Sequence, residues 1–543
     1  MSDQLPHSHH SAHHAQLSRR RLLAASCAVL GTGALGALGS TSTPAAAAAV
    51  TGSAGYTEPY RPQLHFSPAR NWMNDPNGLL HHDGTYHLFF QYNPEGATWG
   101  NMSWGHAVST DLTHWHERGV AIPEDDTEMI FSGSAVFDRE NTSGLGTADD
   151  PPLVAVYTSH LQDGSRQRQS LAYSTDGGEN WRKYEGNPVL DIGAKDFRDP
   201  KVFWHAATGR WVMAVALSLE HTIRFYASPD LKNWTHLSDF GPSGATGGIW
   251  ECPDLFELPV DGDARRTRWV LIVNINPGGP AGGSAGQYFI GDFDGTAFTA
   301  DTGGPGTRWL DHGADCYAGV TYNDAPEGRR ILLAWMNNWL YGERIPTAPW
   351  RSAMTFPREL ALRSASEAEG NAVLVQQPVA ELEGLRGRTL ARLAGREVAA
   401  GSTPLLVRDT GLSYEVEAEL GAAQGTRRFG LEIRAGGGHR TRVGYDADSG
   451  ELYVDRTASG AVGFDDHFPG LHRAPLAVPE GGTLRLRLLV DASSVEVFAQ
   501  EGRVCLTDQI FPDDRATALQ AFAEEGPARI EALVVRELHS AWR

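Results

Sequence analysis

One pattern occurs five times along this chain: a polar or acidic opening, an apolar strand, a Gly or Asp turn, and a second apolar strand. It runs from Asn74-Asp75-Pro76 to Tyr92. It recurs at Phe131-Ser132-Gly133-Ser134-Ala135-Val136-Phe137, partnered by Leu153 to Tyr157, and at Arg198-Asp199-Pro200-Lys201-Val202-Phe203, partnered by Trp211 to Val215. The last two copies open at Trp250-Glu251-Cys252-Pro253 and at Asp315-Cys316-Tyr317-Ala318-Gly319. A second signature closes most copies: Ser109-Thr110-Asp111 before Trp115, Ser174-Thr175-Asp176 before Trp181, Ser228-Pro229-Asp230 before Trp234, and a looser Asp292 to Phe298. Each unit therefore holds about four strands. The openings at 75, 132, 199, 251 and 315 lie 52 to 67 residues apart. Four-stranded repeats of this size are propeller blades. The expected fold is all-β, a five-bladed β-propeller within residues 50–362, with an irregular β-sandwich as the alternative. The innermost strand of each blade lines the axis, so Asp75, Ser132, Asp199, Glu251 and Asp315 are expected to converge on one funnel.

Residues 363–400 read as a connector with some helical character. Beyond it, Leu412 to Leu420, Leu484 to Leu488 and Val495 to Phe498 alternate polar and apolar, and Val443 to Val454 turns at Asp448-Ser449-Gly450. Period two of this kind is strand, and residues 401–543 read as a C-terminal β-sandwich.

Residues 1–49 stand apart. Ser18-Arg19-Arg20-Arg21-Leu22-Leu23 followed by an Ala/Leu/Gly run is the pattern of a twin-arginine export signal, with small residues from Ala45 to Ala49 for cleavage. The histidines at 7, 9, 10, 13 and 14 fall in this removable part. The formal charge is −20; losing a leader with three arginines and one aspartate takes it to −22. So acidic a surface excludes nucleic acid and anionic membrane as partners and suits a secreted protein acting on neutral molecules. Cys27 goes with the leader. Cys252, Cys316 and Cys505, odd in number and far apart, make no disulfide framework.

Three acids in an aromatic funnel suggest glycoside hydrolysis, which needs one carboxylate to attack or stabilise positive charge and one carboxyl to protonate the departing oxygen. Asp75 is held stiffly between Asn74 and Pro76 at a turn, a context that keeps it ionised. Asp199 follows Arg198, whose charge favours the carboxylate. Glu251 has Trp250 and Cys252-Pro253 as neighbours, apolar company that suits a proton donor. Acids at strand starts are also common as structural residues.

Trp72-Met73-Asn74-Asp75-Pro76-Asn77-Gly78, Arg198-Asp199-Pro200 and Glu251-Cys252-Pro253 resemble the three signature blocks of glycoside hydrolase family 32, the invertase, inulinase and levanase family. Gln91-Tyr92-Asn93-Pro94, Trp99-Gly100, Phe131-Ser132-Gly133-Ser134 and, further on, Ser494 to Phe498 and Leu506 to Pro512 are similar to other blocks of that family. The resemblance implies a five-bladed propeller plus β-sandwich and a retaining double displacement. Asp75 would be the nucleophile, Glu251 the acid and base, and Asp199 the stabiliser of the transition state. Trp72, Asn74, Gln91, Trp99, Phe131, Ser132, Arg198 and Trp335 would shape the fructose pocket. No metal or cofactor is implied. Trp335 to Trp339 and Pro349 to Thr355 look most like the exo-acting fructanases, which points to a fructan β-fructosidase with sucrose as a side substrate. An invertase, an endo-levanase, a fructotransferase and a fructan-binding protein with a dead site are the rivals.

Overall fold

The computed structural model describes residues 55–302, 306–366, 372–478 and 481–542. The leader, with its arginine motif, its histidines and Cys27, lies outside the described residues. Blade one is built from Asn71–His82, Thr85–Asn93, Ser103–Ser109 and His116–Ile122; blade two from Glu128–Phe137, Leu153–Leu161, Gln167–Ser174 and Arg182–Lys183. Blade three is Phe197–His205, Arg210–Leu217, Thr222–Ser228 and Thr235–Phe240; blade four is Ile249–Val260, Asp263–Asn276, Ala285–Phe293 and Phe298–Ala300. Blade five is Tyr317–Thr321, Ile331–Met336, Arg358–Ser364 and Ala372–Pro378. The first strand of each blade touches the first strand of the next, and the ring closes between Tyr317–Thr321 and Asn71–His82. The protein is a five-bladed β-propeller followed by a C-terminal β-sandwich.

The closing signature of the repeat has a physical cause. Asp111 accepts the backbone N–H groups of Thr113 and His114, and Asp230 those of Lys232 and Asn233. These carboxylates cap the turn between third and fourth strands. The indole N–H groups of Trp115, Trp181 and Trp234 then close it, donating to the carbonyls of Leu112, Gly178 and Leu231 at 3.1, 3.0 and 2.9 Å. Apolar residues fill the gaps between sheets. Phe89, Trp104, Ile130 and Tyr157 sit between blades one and two, and Val212, Phe225, Trp250 and Leu271 between three and four.

The connector expected at 363–400 is largely strand. Ala372–Pro378 completes blade five, Ala380–Leu385 is a single 3-10 segment, and Arg386–Val398 pairs along Ala528–Leu538 as an edge of the sandwich. Edge strands with charge on alternate positions lack the long apolar pattern that marks a strand in sequence, which is why Arg386 to Val398 reads as linker. The sandwich is two six-stranded sheets. Val416, Leu431, Val443, Leu488, Val497 and Leu533 meet between them, and the alternation of each strand places one such residue inward at every second position.

Two buried ionic networks lock the sandwich to the propeller, the first of them joined through Glu496. His65 lies between Asp491 and Glu496, with Nδ1 at 2.8 Å and Nε2 at 2.7 Å. Arg358 reaches Glu496 and, at 3.0 Å, Asp311. Arg456 of the sandwich reaches Asp315 at 2.6 Å. Cys252, Cys316 and Cys505 are buried and unbridged. Among the described residues no helix is long and apolar enough to cross a membrane.

Candidate active site

Each innermost strand breaks register where it nears the mouth of the ring. The breaks fall between Met73 and Pro76, Phe131 and Gly133, Arg198 and Lys201, Glu251 and Asp254, and Tyr317 and Val320. A bulge of this kind re-aims side chains that a regular strand would send to its two faces. In blades three to five the residue after the first position takes a left-handed backbone: Asp199 at φ 66°, Cys252 at 44° and Ala318 at 53°. In blade two a Cβ on Gly133 would stand 2.1 Å from the carbonyl oxygen of Val156, so only glycine lets that strand close on its neighbour.

The bulges turn Asp75, Asp199 and Glu251 toward one cavity of about 300 Å³. Its lining comes from all five blades: Asn74, Asp75, Gln91 and Trp99 from the first, Phe131, Ser132, His160 and Gln167 from the second, Asp196, Arg198 and Asp199 from the approach to and start of the third, Glu251 from the fourth, and Trp339 from the fifth. Deeper along the axis, past Pro76, Lys201, Pro253 and Thr321, the free volume falls to about 20 Å³. That is room for a water molecule and nothing larger, so the cavity has a floor.

Asp75 takes the hydroxyl of Ser132 on Oδ2 at 2.7 Å, and the Cys252 thiol lies 3.6 Å from the same oxygen. Burial raises its pKa, with the Glu251 charge adding to this and Ser132 opposing it. The sequence reading left Asp75 in a polar turn; enclosure by five blades outweighs that local context. Asp199 accepts the backbone N–H of Cys252 at 2.9 Å and has the Cys252 thiol at 3.6 Å. Burial pushes it up to about 7, against the lowering effect of Arg198. Arg198 therefore does not hold Asp199 charged, contrary to what its place in the sequence suggests. The guanidinium points to the next blade, where Arg198 Nε donates to Glu251 Oε1 at 3.0 Å.

Glu251 is not in apolar company either. Its other oxygen accepts the phenol of Tyr317. Indole and proline neighbours in sequence lie on the far side of the strand: Trp250 is fully buried in the core between blades three and four. Arg198, Glu251 and Tyr317 occupy the same position of three successive blades, each one residue before the left-handed residue. Their side chains therefore meet around the axis.

Of the residues singled out in sequence, Asn74, Asp75, Gln91, Trp99, Phe131, Ser132, Arg198, Asp199 and Glu251 line the cavity. Trp72 and Trp335 stand behind the lining, fully buried. Trp72 Nε1 donates to Asn74 Oδ1 at 2.8 Å and Trp335 Nε1 to the Met73 carbonyl at 3.0 Å, so both brace the Asn74-Asp75 bulge. Trp339 packs on both, with ring centroids 5.8 and 4.9 Å away, and presents itself to the cavity. The loop from Gly278 to Gly286 holds that segment in place: Ser284 Oγ accepts Trp339 N at 3.1 Å. Asp315 does not join the other openings; it is buried against Arg456, and Tyr317 two residues on faces the site instead. His160, Gln167 and Asp196 also line the cavity and carry no motif; only the blade geometry brings them there. Among the described residues no group of three or more potential metal ligands gathers.

Carboxyl groups clustered at the floor of a sugar-sized pocket on a propeller axis define a glycoside hydrolase. Residues 65–378 match the Glycosyl hydrolases family 32 N-terminal domain, and residues 381–537 the Glycosyl hydrolases family 32 C terminal. The chain is 46% identical over 493 residues to a levanase of Bacillus subtilis, covering 90% of this chain and 72% of that one. It is 43% identical over 539 residues to an extracellular exo-inulinase of Aspergillus ficuum, covering 92% and 98%. The solved exo-inulinase of Aspergillus awamori superposes with a TM-score of 0.84 at 42% identity, covering 90% of this chain and all 100% of that one. This chain belongs to glycoside hydrolase family 32. It is a glycosidase of the β-fructofuranosidase type.

Proposed function

We propose that the protein is a secreted, exo-acting fructan β-fructosidase that removes terminal fructose from levan or inulin, with sucrose as a lesser substrate. The observation that carries the exo reading is the shape of the cavity: about 300 Å³ accepts a chain end, and the space below it along the axis narrows to about 20 Å³. The levanase and exo-inulinase relatives favour a fructan over a small disaccharide, and the word extracellular attached to the Aspergillus relative favours export. Export would use the twin-arginine pattern at Arg19-Arg20.

In this reading Asp75 attacks the anomeric carbon and Glu251 protonates the departing oxygen. A covalent fructosyl-enzyme forms, and Glu251 then takes a proton from the water that releases fructose. Asp199 holds sugar hydroxyls and faces the positive charge that develops on the ring. The cavity lining sets four acidic side chains, Asp75, Asp196, Asp199 and Glu251, against the single guanidinium of Arg198; with Glu251 protonated as the donor, the ionised ones among the rest face the oxocarbenium-like transition state. Two indoles from the neighbouring first and fifth blades, Trp99 and Trp339, supply apolar faces for the sugar rings.

Incubation with levan, inulin and sucrose, with product sizes followed over time, tests this. Free fructose from the first time point, faster from a polymer than from sucrose, is the expected result. Early oligosaccharides would replace it with endo-action, cyclic dianhydrides with transfer, and activity confined to sucrose with an invertase. No product from any of the three would leave a binding protein.

A further inference from the structure

His160 sits near the end of the second strand of blade two, in register with Met129. Met129 is three residues nearer the mouth than Ser132, whose hydroxyl holds Asp75. The imidazole therefore lies on the mouth side of Ser132. It lies flat on Phe131, ring centroids 4.4 Å apart and planes 4° from parallel. Phe131 in turn meets the edge of Trp99, which is 40% exposed at the rim.

Hydrogen bonding settles which nitrogen carries the proton. Gln167 Oε1 accepts the backbone N–H of Phe197 at 3.0 Å and Arg198 Nη1 at 3.1 Å. Two donors on the oxygen leave the amide of Gln167 one orientation, with its NH2 toward His160 Nδ1 at 3.3 Å. Nδ1 is therefore the acceptor, and the proton of the neutral ring is on Nε2. Burial, helped by the charge of Arg198, lowers the pKa of this histidine and keeps it neutral. The guanidinium that orients Gln167 also holds Glu251, so His160 and the proton donor are kept at a fixed separation.

We propose that His160 is a specificity-determining residue for the leaving unit: its Nε2–H donates to a hydroxyl of the sugar that departs, while the fructosyl ring sits below on Asp75. The floor of the cavity forces this order, because the unit attacked by Asp75 is the deep one and the rest of the substrate must leave by the mouth. The inference rests on the fructosidase reading above.

The test compares kcat/KM for a fructan trisaccharide with that for a nitrophenyl fructoside, whose leaving group has no sugar hydroxyl, in the full-length protein. His160→Phe keeps a flat ring on Phe131 and removes the donor. The ratio of trisaccharide to nitrophenyl fructoside activity is expected to fall about tenfold, carried mostly by KM for the trisaccharide. His160→Gln, which restores an N–H donor, is expected to recover most of the ratio. Should His160→Phe not fold, His160→Ala carries the same expectation. A ratio within twofold of wild type in the folded variant overturns the proposal while leaving the fructosidase reading intact. A wild-type protein inactive on both substrates overturns both.

Discussion

Ser132 Oγ donates to Asp75 Oδ2 at 2.7 Å, and Asp75 Oδ1 is buried with no hydrogen-bond partner. The two oxygens of one carboxylate are thereby made unequal. One is anchored across the first blade boundary; the other is unengaged and available to form a bond. Asp75→Asn is expected to leave the circular dichroism unchanged and to lower kcat by more than about a thousandfold. Ser132→Ala is expected to lower it about tenfold, since one hydrogen bond to a charged group is lost. Activity of Asp75→Asn within tenfold of wild type would remove Asp75 as nucleophile.

Glu251 lies between the Arg198 guanidinium and the Tyr317 phenol. If it delivers the proton, Glu251→Gln should cost least where the leaving group needs no proton. The expected loss is at least about a hundredfold with a fructan and under about tenfold for the fructosylation step with a nitrophenyl fructoside. Equal losses in single-turnover measurements on the two substrates would end that assignment. Tyr317→Phe removes one of the groups that orient the carboxyl and is expected to lower kcat about tenfold with KM little changed.

His65 ties the start of the propeller to Asp491 and Glu496 of the sandwich, all three fully buried. Burial alone would lower the histidine's pKa; the two carboxylates outweigh it and raise the value to about 9. A histidine whose folded pKa exceeds its unfolded value near 6.5 stabilises fully below about pH 6.5, and the contribution is lost as pH rises to about 9. The unfolding midpoint should therefore drop between pH 6.5 and 9. In His65→Gln the drop should be much shallower, and the protein less stable by about 3 to 5 kcal/mol at pH 6.5, because Asp491 loses its counter-charge and Glu496 keeps only that of Arg358. Urea titrations at a series of pH values measure both. An unchanged slope in His65→Gln would contradict the role.

Asp199 works in a lower window with the opposite chemistry. Its folded pKa of about 7 lies above the unfolded value near 4, so the unfolded chain ionises first and stability falls as pH climbs from about 4 to 7. Asp199→Asn is expected to flatten that part of the profile and to be at least as stable as wild type at pH 7 while losing activity. A less stable Asp199→Asn with the slope retained would place the titrating group elsewhere.

Asp315 is expected to matter for stability and not for chemistry. Asp315→Ala leaves buried Arg456 with only the more distant Asp508, at 3.4 Å, and should cost about 3 kcal/mol in urea unfolding. Among molecules that remain folded, kcat should stay within about twofold. A selective collapse of kcat with stability unchanged would return Asp315 to the site.

Much of this protein is legible along the chain because its causes are local. A strand, a turn and a second strand recur, apolar at nearly every position in the blades and at alternate positions in much of the sandwich, so the blade count and the sandwich follow from pattern alone. The Asp75-Pro76, Asp199-Pro200 and Glu251-Cys252-Pro253 openings mark the acids because bulges need residues that break a ladder. Register is what lay beyond reach. In sequence Asp199 and Glu251 look like equivalent acids at equivalent openings. In the folded ring Glu251 instead occupies the position of Arg198 and Tyr317, and Asp199 that of Cys252 and Ala318. One residue of offset in a strand sends a side chain to the other face. The folded ring also put Tyr317 in the site and left Asp315 to the sandwich, set Trp72 and Trp335 behind the wall with Trp339 in it, and gathered His160, Gln167 and Asp196 from stretches with no motif of their own. Only closure of the ring, which packs each blade's first strand against the next, fixes which residues look inward.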